Sequence, residues 1–366
     1  MRSPSVAIIV PVYRTPVLLL QRFLQSARRQ TLPDVQIIAV DDASPDECPR
    51  VLDAAAASDA RVQVVHRRTN GGAGPARNDG LERADSEFVL FADADDVIRP
   101  DMCETLMGLA ERHDADIAAC SWAVVDENGR VLSLVRLPNR TYELLASARH
   151  KTRCYRNLNY APWNKLFRRE VIGRLRFEQF EANIGEDTLF NVAALCRSRT
   201  IVTTSYVGYG YTSHSTSATG RSAKGMAYLR TIALSEEKLR LTLAERDGSA
   251  IGRQAADWLA LKRFTTGCAW IAEDPDSEER RRLWDYWRRH LRDHLLPALE
   301  HRGLLAAWYR RVALTASAAT ACRLTRLATK LADAVSLLER VQTCAAGRGR
   351  VDSDWLAEAT QKDRAA

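Results

Sequence analysis

Four short apolar runs, at residues 6–12, 35–40, 61–66 and 88–92, are rich in β-branched residues and are separated by three stretches with helical spacing, at 18–30, 47–58 and 75–84. Short, largely apolar runs of this length read as strands buried on both faces. Such strands, alternating with helices, build a parallel sheet with helices packed on it. Ligands of these sheets bind beyond the carboxyl ends of the strands. The polar residues of this region sit at those ends: Pro11-Val12-Tyr13, Asp41-Asp42-Ala43-Ser44, Asn70-Gly71-Gly72 and Asp93-Ala94-Asp95-Asp96. That placement predicts one shared site.

Three carboxylates directly behind a buried strand are costly unless something cationic holds them. A divalent metal carrying a nucleotide diphosphate is the economical explanation, and hard oxygen ligands suit Mg²⁺ or Mn²⁺. Acidic triplets also occur in turns and at helix starts, and Arg99-Pro100-Asp101 is a plausible helix opening. The glycines at 71, 72 and 74 stand where a backbone turns or approaches a ligand, and the amides there could help hold an anion. A dinucleotide fingerprint does not fit, because these glycines follow the third strand and Pro75 interrupts the spacing. A plain turn remains open, and Asp42 with Ser44 could simply cap a helix.

The length of 366 residues allows about two to three domains, and 46% hydrophobic with 27% charged residues is ordinary for a globular protein. No apolar run approaches the ~20 residues that span a bilayer, and the run after Met1-Arg2-Ser3-Pro4-Ser5 is short for a signal peptide, so a cytoplasmic protein is expected. The eight cysteines (48, 103, 120, 154, 196, 268, 322 and 344) form no CxxC pair and read as buried thiols, not as a zinc site.

Charge divides the chain. Residues 1–220 hold 27 basic and 27 acidic residues, whereas residues 221–366 hold 26 and 19, so the net +7 lies in the second part. There glycines thin out and β-branched runs vanish. Leu283, Trp284, Trp287, Leu291 and Leu295 share a helical face, as do Leu324, Leu327, Leu331, Val335 and Leu338. Two domains are expected: an α/β domain at 1–220 and a basic α-helical domain at 221–366, with a loop or linker at 345–353. Residues 280–350, with 15 basic and 5 acidic residues interleaved with Trp284, Trp287 and Trp308, suit an anionic membrane surface, a lipid-linked or polyanionic acceptor, or packing within the protein or on a second subunit. No recognised nucleic-acid module is present.

In their order along residues 6–214, Ile9-Val10-Pro11-Val12-Tyr13, Val40-Asp41-Asp42-Ala43-Ser44-Pro45-Asp46, Asn70-Gly71-Gly72-Ala73-Gly74-Pro75-Ala76-Arg77-Asn78, Asp93-Ala94-Asp95-Asp96 and Gly185-Glu186-Asp187 resemble the GT-A glycosyltransferases of family 2, the inverting, metal-dependent group. The resemblance implies a Rossmann-like, mainly parallel sheet flanked by helices, followed here by the helical C-terminal domain. By resemblance, Asp42 contacts the uracil of a UDP donor with Pro11 and Tyr13 walling the base, Asn70 and Arg77 face the nucleotide, Asp93 contacts ribose beside Ala94, and Asp95 ligates the metal. Asp187 resembles the general base that deprotonates the acceptor hydroxyl; a carboxylate of ordinary pKa is ionised at neutral pH and needs only hydrogen-bond reach. Carboxylates in a helix's first turn are also ordinary dipole partners. Trp163, in Trp163-Asn164-Lys165, and Glu186 border the acceptor in the resemblance, although a tryptophan is more often core. His214 lies where some relatives place a histidine on the metal or diphosphate; the arginine often found after the tyrosine is replaced here by Thr212.

The expectation is a metal-dependent inverting glycosyltransferase, with Mn²⁺ or Mg²⁺, moving a sugar from a UDP-linked donor to a hydroxyl of a cell-surface polysaccharide, wall polymer or lipid-linked glycan. It would be cytoplasmic or peripheral at the inner membrane face, with a homo-oligomer among the roles open to the C-terminal helices and no nucleic-acid partner. A nucleotidyltransferase would prefer a basic glycine-rich loop directly after the first strand, which Pro11-Val12-Tyr13-Arg14-Thr15 lacks. A non-catalytic nucleotide-sugar-binding scaffold would tolerate loss of the base, yet Asp187 is present.

Overall fold

The computed structural model describes residues 4–147, 160–180, 185–214, 226–249 and 278–296, with short pieces between 150 and 158 and between 251 and 259. These fall into two compact units, one holding residues 4–179 and 186–214, the other residues 180, 185 and 226–296. Trp308, Arg310, Arg311, the helical face at 324–338, the segment at 345–353 and Cys268, Cys322 and Cys344 lie outside the described residues.

The first unit is built on one sheet. Its strands are β1 (Val6–Val12), β2 (Val35–Asp41), β3 (Val62–His66), β4 (Phe88–Phe91), β5 (Val97–Ile98), β6 (Ile117–Val125), β7 (Val131–Val135), β8 (Arg140–Glu143), β9 (Lys165–Arg168) and β10 (Thr200–Thr212). They lie in the order β3-β2-β1-β4-β9-β6-β10-β5, with β7 beside β6 and β8 beside β10. The four strands read from the sequence are parallel neighbours. The remainder is mixed: β9 runs antiparallel to β4 and β6, β5 antiparallel to β10, and β10 parallel to β6. The mainly parallel description therefore holds only for the first half of the sheet. Strands β5 and β9, of two and four residues, are too short to carry a readable period.

Registers set the site. Val12 pairs with Asp41, and Asp41 with His66, so β1, β2 and β3 end at one level. Helices α1 (Val17–Arg28), α2 (Cys48–Ser58) and α3 (Ala73–Arg83) link successive parallel strands, as right-handed crossovers require. Helix α1 buries Leu19, Leu20, Phe23, Leu24 and Ala27, a stripe in which each large side chain contributes roughly 1.5–3 kcal/mol. Helix α3 lies close on β1 because of Gly80: a Cβ there would stand 2.4 Å from Ile9 Cγ2. Helix α4 (Met102–Arg112) follows β5, the short α5 (Arg169–Ile172) follows β9, and α6 (Glu186–Arg197) precedes β10. Cys48, Cys103, Cys120 and Cys154 are buried and unpaired. Burial pushes the thiols of Cys48 and Cys120 up to about 12, so they behave as small core groups.

The second unit contains α7 (Met226–Arg246) and α8 (Glu278–His290), which continues into a π-helical turn, Leu291–Leu295. Leu229, Ile232, Leu239 and Leu243 of α7, and Leu283, Trp284, Trp287 and Leu291, are buried. Of the readings open for this basic segment, interior packing accounts for Trp284 and Trp287, whose rings are taken from water and from any membrane surface. Arg281 and Arg282 remain exposed. Among the described residues no helix is long and apolar enough to cross a membrane.

Candidate active site

The carboxyl end of β2 forms the first wall. Asp41 accepts the Ser44 amide at 2.9 Å and meets His66 Nδ1 at 2.9 Å. Asp42, 1% exposed, accepts the amides of Gly71 at 3.0 Å and Gly72 at 2.7 Å and pairs with Arg67 Nη1. Asn70 Nδ2 donates to the Asp42 carbonyl at 3.1 Å. Gly72 has φ 92°, a left-handed backbone that glycine adopts without strain. The glycine-loop amides expected to hold an anion thus hold the Asp42 carboxylate, and Asp42, expected to read a base, ties that loop to β2. Both oxygens are engaged because a buried carboxylate must be hydrogen-bonded. Of the expected base walls, Tyr13 is 44% exposed and Pro11 half-buried.

The acidic loop after β4 forms the centre. Ala94 and Asp96 are buried, while Asp93 and Asp95 keep 30% and 27% of their side chains exposed. Asp96 is the internal brace: Tyr209 Oη donates to it at 2.6 Å and the Thr212 amide at 2.7 Å. Tyr209 Oη also accepts the Asp93 amide at 3.1 Å. Burial, then the neighbouring Asp95 and Asp93, hold the Asp96 carboxyl well above the usual range. Arg22 donates to Thr212 Oγ1 at 2.8 Å and to the Glu127 carbonyl at 2.8 Å, fastening α1 to the end of β10. Asp95 Oδ2 lies 2.7 Å from His214 Nε2. Burial and Asp93 raise the Asp95 carboxyl, against the pull of His214.

The third wall is the start of α6. Arg77, on α3, donates through Nη1 to Asp187 at 2.7 Å and through Nη2 to Asp93 at 2.8 Å. Glu186 lies 3.9 Å from the same Nη1. Burial pushes the Asp187 carboxyl up to about 7, against Arg77, with Glu186 and Asp93 adding to the rise; the ordinary carboxylate pKa expected from the sequence does not hold here. Asn191 anchors this turn, donating to the carbonyls of Asp187 at 2.8 Å and Tyr160 at 2.7 Å. Lys165, fully interior, donates to the Ala161 carbonyl at 2.7 Å and to Asn164 Oδ1 at 2.8 Å. Burial depresses its pKa to about 7.

The structure brings together Asp93, Asp95, Asp187, Glu186, Arg77 and His214. It withdraws Trp163, expected at the acceptor border: the ring is 7% exposed and stacks on Tyr209 at 4.6 Å, with Trp122 edge-on at 5.4 Å. Arg77, expected to face the nucleotide, is 3% exposed and spends its terminal nitrogens on carboxylates. Tyr209, Arg22 and Arg67 escaped the sequence reading, because long-range side-chain partners leave no periodic signal. Asp96 was visible as the third carboxylate, but its interior role was not.

Asp95 and His214 offer an oxygen and an imidazole nitrogen, a pair that suits Mn²⁺ or Mg²⁺ only as part of a shell. Among the described residues no group of three His, Cys, Asp or Glu is arranged around a common point. The donor set fits a metal completed by diphosphate oxygens and water, which is how such ions sit in nucleotide sites.

Residues 7–176 match the model of glycosyl transferase family 2. The putative glycosyltransferase EpsH of Bacillus subtilis is 32% identical over 234 residues, covering 61% of this chain and 65% of that protein. The succinoglycan biosynthesis protein ExoO of Rhizobium meliloti is 32% identical over 219 residues, covering 57% of this chain and 61% of its own. The chain thus spans under two thirds of the length of these relatives. The crystal structure of S. aureus TarS 1-349 in complex with UDP-GlcNAc has a TM-score of 0.67 at 20% identity, covering 90% of this chain and 92% of that one, a likeness of fold.

Proposed function

Residues 7–176 of this chain form a domain of glycosyl transferase family 2, and from that premise we propose that the protein transfers a sugar from a nucleotide-diphosphate donor to a hydroxyl of a cell-surface polysaccharide, wall polymer or lipid-linked glycan, with inversion at the anomeric carbon. The observation that carries this reading is the convergence of Asp93 and Asp187 on one buried guanidinium, 2.8 and 2.7 Å away. The acidic loop after β4 and the first turn of α6 thereby share one site. Similarity to a succinoglycan biosynthesis protein supports a polysaccharide acceptor. A neighbour of the same fold crystallised with UDP-GlcNAc makes UDP the first nucleotide to test.

In this reading Asp93 meets the ribose, and Asp95 with His214 holds a divalent cation. When bound, the cation offsets charge on the departing diphosphate. Asp187 accepts the proton of the acceptor hydroxyl. The hydroxyl oxygen then bonds to the anomeric carbon on the face opposite UDP, the bond from that carbon to the diphosphate breaks, and its electron pair leaves with UDP. No covalent sugar–enzyme intermediate forms.

Thermal unfolding against a panel of nucleoside diphosphates, with and without Mn²⁺ or Mg²⁺, tests the donor site. Ligand at about 100 times its Kd adds about 2.7 kcal/mol to the native state. We expect a rise with UDP that needs metal and disappears in Asp95→Ala. A rise that Asp95→Ala leaves intact removes the metal assignment; a rise only with another nucleotide moves the donor; no rise with any of them sinks the donor site.

A further inference from the structure

Arg77 stands one turn into α3 with its guanidinium over the Phe177 ring, 5.2 Å from the centroid. A planar fork of fixed geometry holds two carboxylates at once and dictates where each points. Here the two come from distant elements, the end of β4 and the first turn of α6. The groups facing Asp187 are Arg77 from α3, Asp93 after β4, Lys165 at the start of β9, and Glu186 on its own helix. Three carboxylates and two basic side chains thus lie together, with Arg77 and Lys165 interior and Asp93 and Asp187 each keeping 30% of the side chain exposed. Without a cation at hydrogen-bond distance, burial and two like charges would both favour the protonated form of Asp187. A protonated carboxylic acid cannot accept the acceptor's proton.

We infer that Arg77 is the positioning residue of the candidate base: it orients the Asp187 carboxyl, holds its charge and couples it to Asp93, and it is not a ligand of the donor. The inference rests on the proposed transfer for its purpose, but its test does not need turnover. The ionisation of Asp187 can be read as the pH dependence of the difference in melting temperature between a protein and its Asp187→Asn counterpart. A folded-state pKa above the unfolded value makes the protonated carboxyl favour the fold. The contribution of Asp187 is then present at low pH and is lost as pH rises through the folded pKa.

The cycle is measured between pH 4.5 and 9.5 in three backgrounds: native, Arg77→Lys and Asp93→Asn. In the native protein the difference should fall from about pH 4, where the unfolded carboxyl ionises, and level off in a final step whose midpoint lies near 7, where the folded carboxyl ionises. In Arg77→Lys the fork is lost and the midpoint should rise by about one unit, a tenfold change in the ionisation constant. In Asp93→Asn a like charge is lost and the guanidinium serves Asp187 alone, so the midpoint should fall. UDP affinity with Mn²⁺, measured by calorimetry, should stay within about threefold in Arg77→Lys. Midpoints that coincide in all three backgrounds overturn the inference. So does a more than tenfold loss of UDP affinity in Arg77→Lys with the midpoint unmoved, which would return Arg77 to the donor. If Arg77→Lys does not fold, the Asp93→Asn shift decides alone, and an unmoved or raised midpoint refutes the coupling. Failure of the native protein to bind any nucleotide would sink the proposed function and leave these midpoints to stand on their own.

Discussion

Asp187→Asn is expected to lower glycosyl transfer by about 10²–10⁴-fold, the range a positioned general base supplies, while UDP binding stays within a few-fold of the native value. The amide keeps an oxygen for Arg77 Nη1, which now donates to Asp187 at 2.7 Å, so the turn should keep its shape while the proton acceptor is gone. The raised pKa adds a second signature. Burial holds the Asp187 carboxyl at about 7, and only the ionised form takes a proton. The native kcat/KM should therefore fall about tenfold per pH unit below pH 7 and level off above it. The residual activity of the variant should lack that limb. Full turnover in Asp187→Asn, or an acid limb that survives the substitution, would remove Asp187 from the role.

Asp42→Ala should cost stability of about 3–5 kcal/mol. The carboxylate is the acceptor for two amides, at 3.0 Å from Gly71 and 2.7 Å from Gly72, and for Arg67. Each interior donor left without an acceptor costs about 1–3 kcal/mol. Arg67 retains Asp79 at 2.7 Å, which limits its share of the loss. For a unit of this size each kcal/mol lowers the melting temperature by about 2–4 °C, so circular dichroism should show a drop of roughly 10 °C. Asp42→Asn keeps one acceptor oxygen and should lose about half as much. If Asp42→Ala melts within about 2 °C of the native protein, the carboxylate is not needed to hold the loop, and the base-reading role expected from the sequence becomes the better assignment.

Position in the fold was legible where the chemistry is local. Strands β1, β2 and β4 announce themselves because short apolar runs buried on both faces can be little else; β3, of which only Val62 is buried, is marked by its valines, and the helices between the four force parallel neighbours. The acidic loop was legible because three carboxylates behind a buried strand need a reason. Beyond β4 the signal weakened. The four residues of β9 are too few for a period, and the antiparallel insertion of β9 between β4 and β6 depends on pairing choices made across the whole sheet. Trp284 and Trp287 illustrate the same limit: a basic helix with tryptophans reads alike whether its apolar face meets lipid or protein.

The sequence by itself determined which residue types stand at the strand ends, because a polar group there is cheap only if it meets water, a ligand or a partner. It determined that the glycines at 71, 72 and 74 mark a turn or a close approach, whereas the close packing of Gly80 on Ile9 came only with the structure. Only the tertiary structure decided which charge faces which. Arg77 reaches Asp93 across 16 positions and Asp187 across 110, and Asp42 meets the glycine loop about 30 residues on. Such pairings follow from where helices and strands converge, and an ion pair depends on distance in space, which no spacing along the chain encodes.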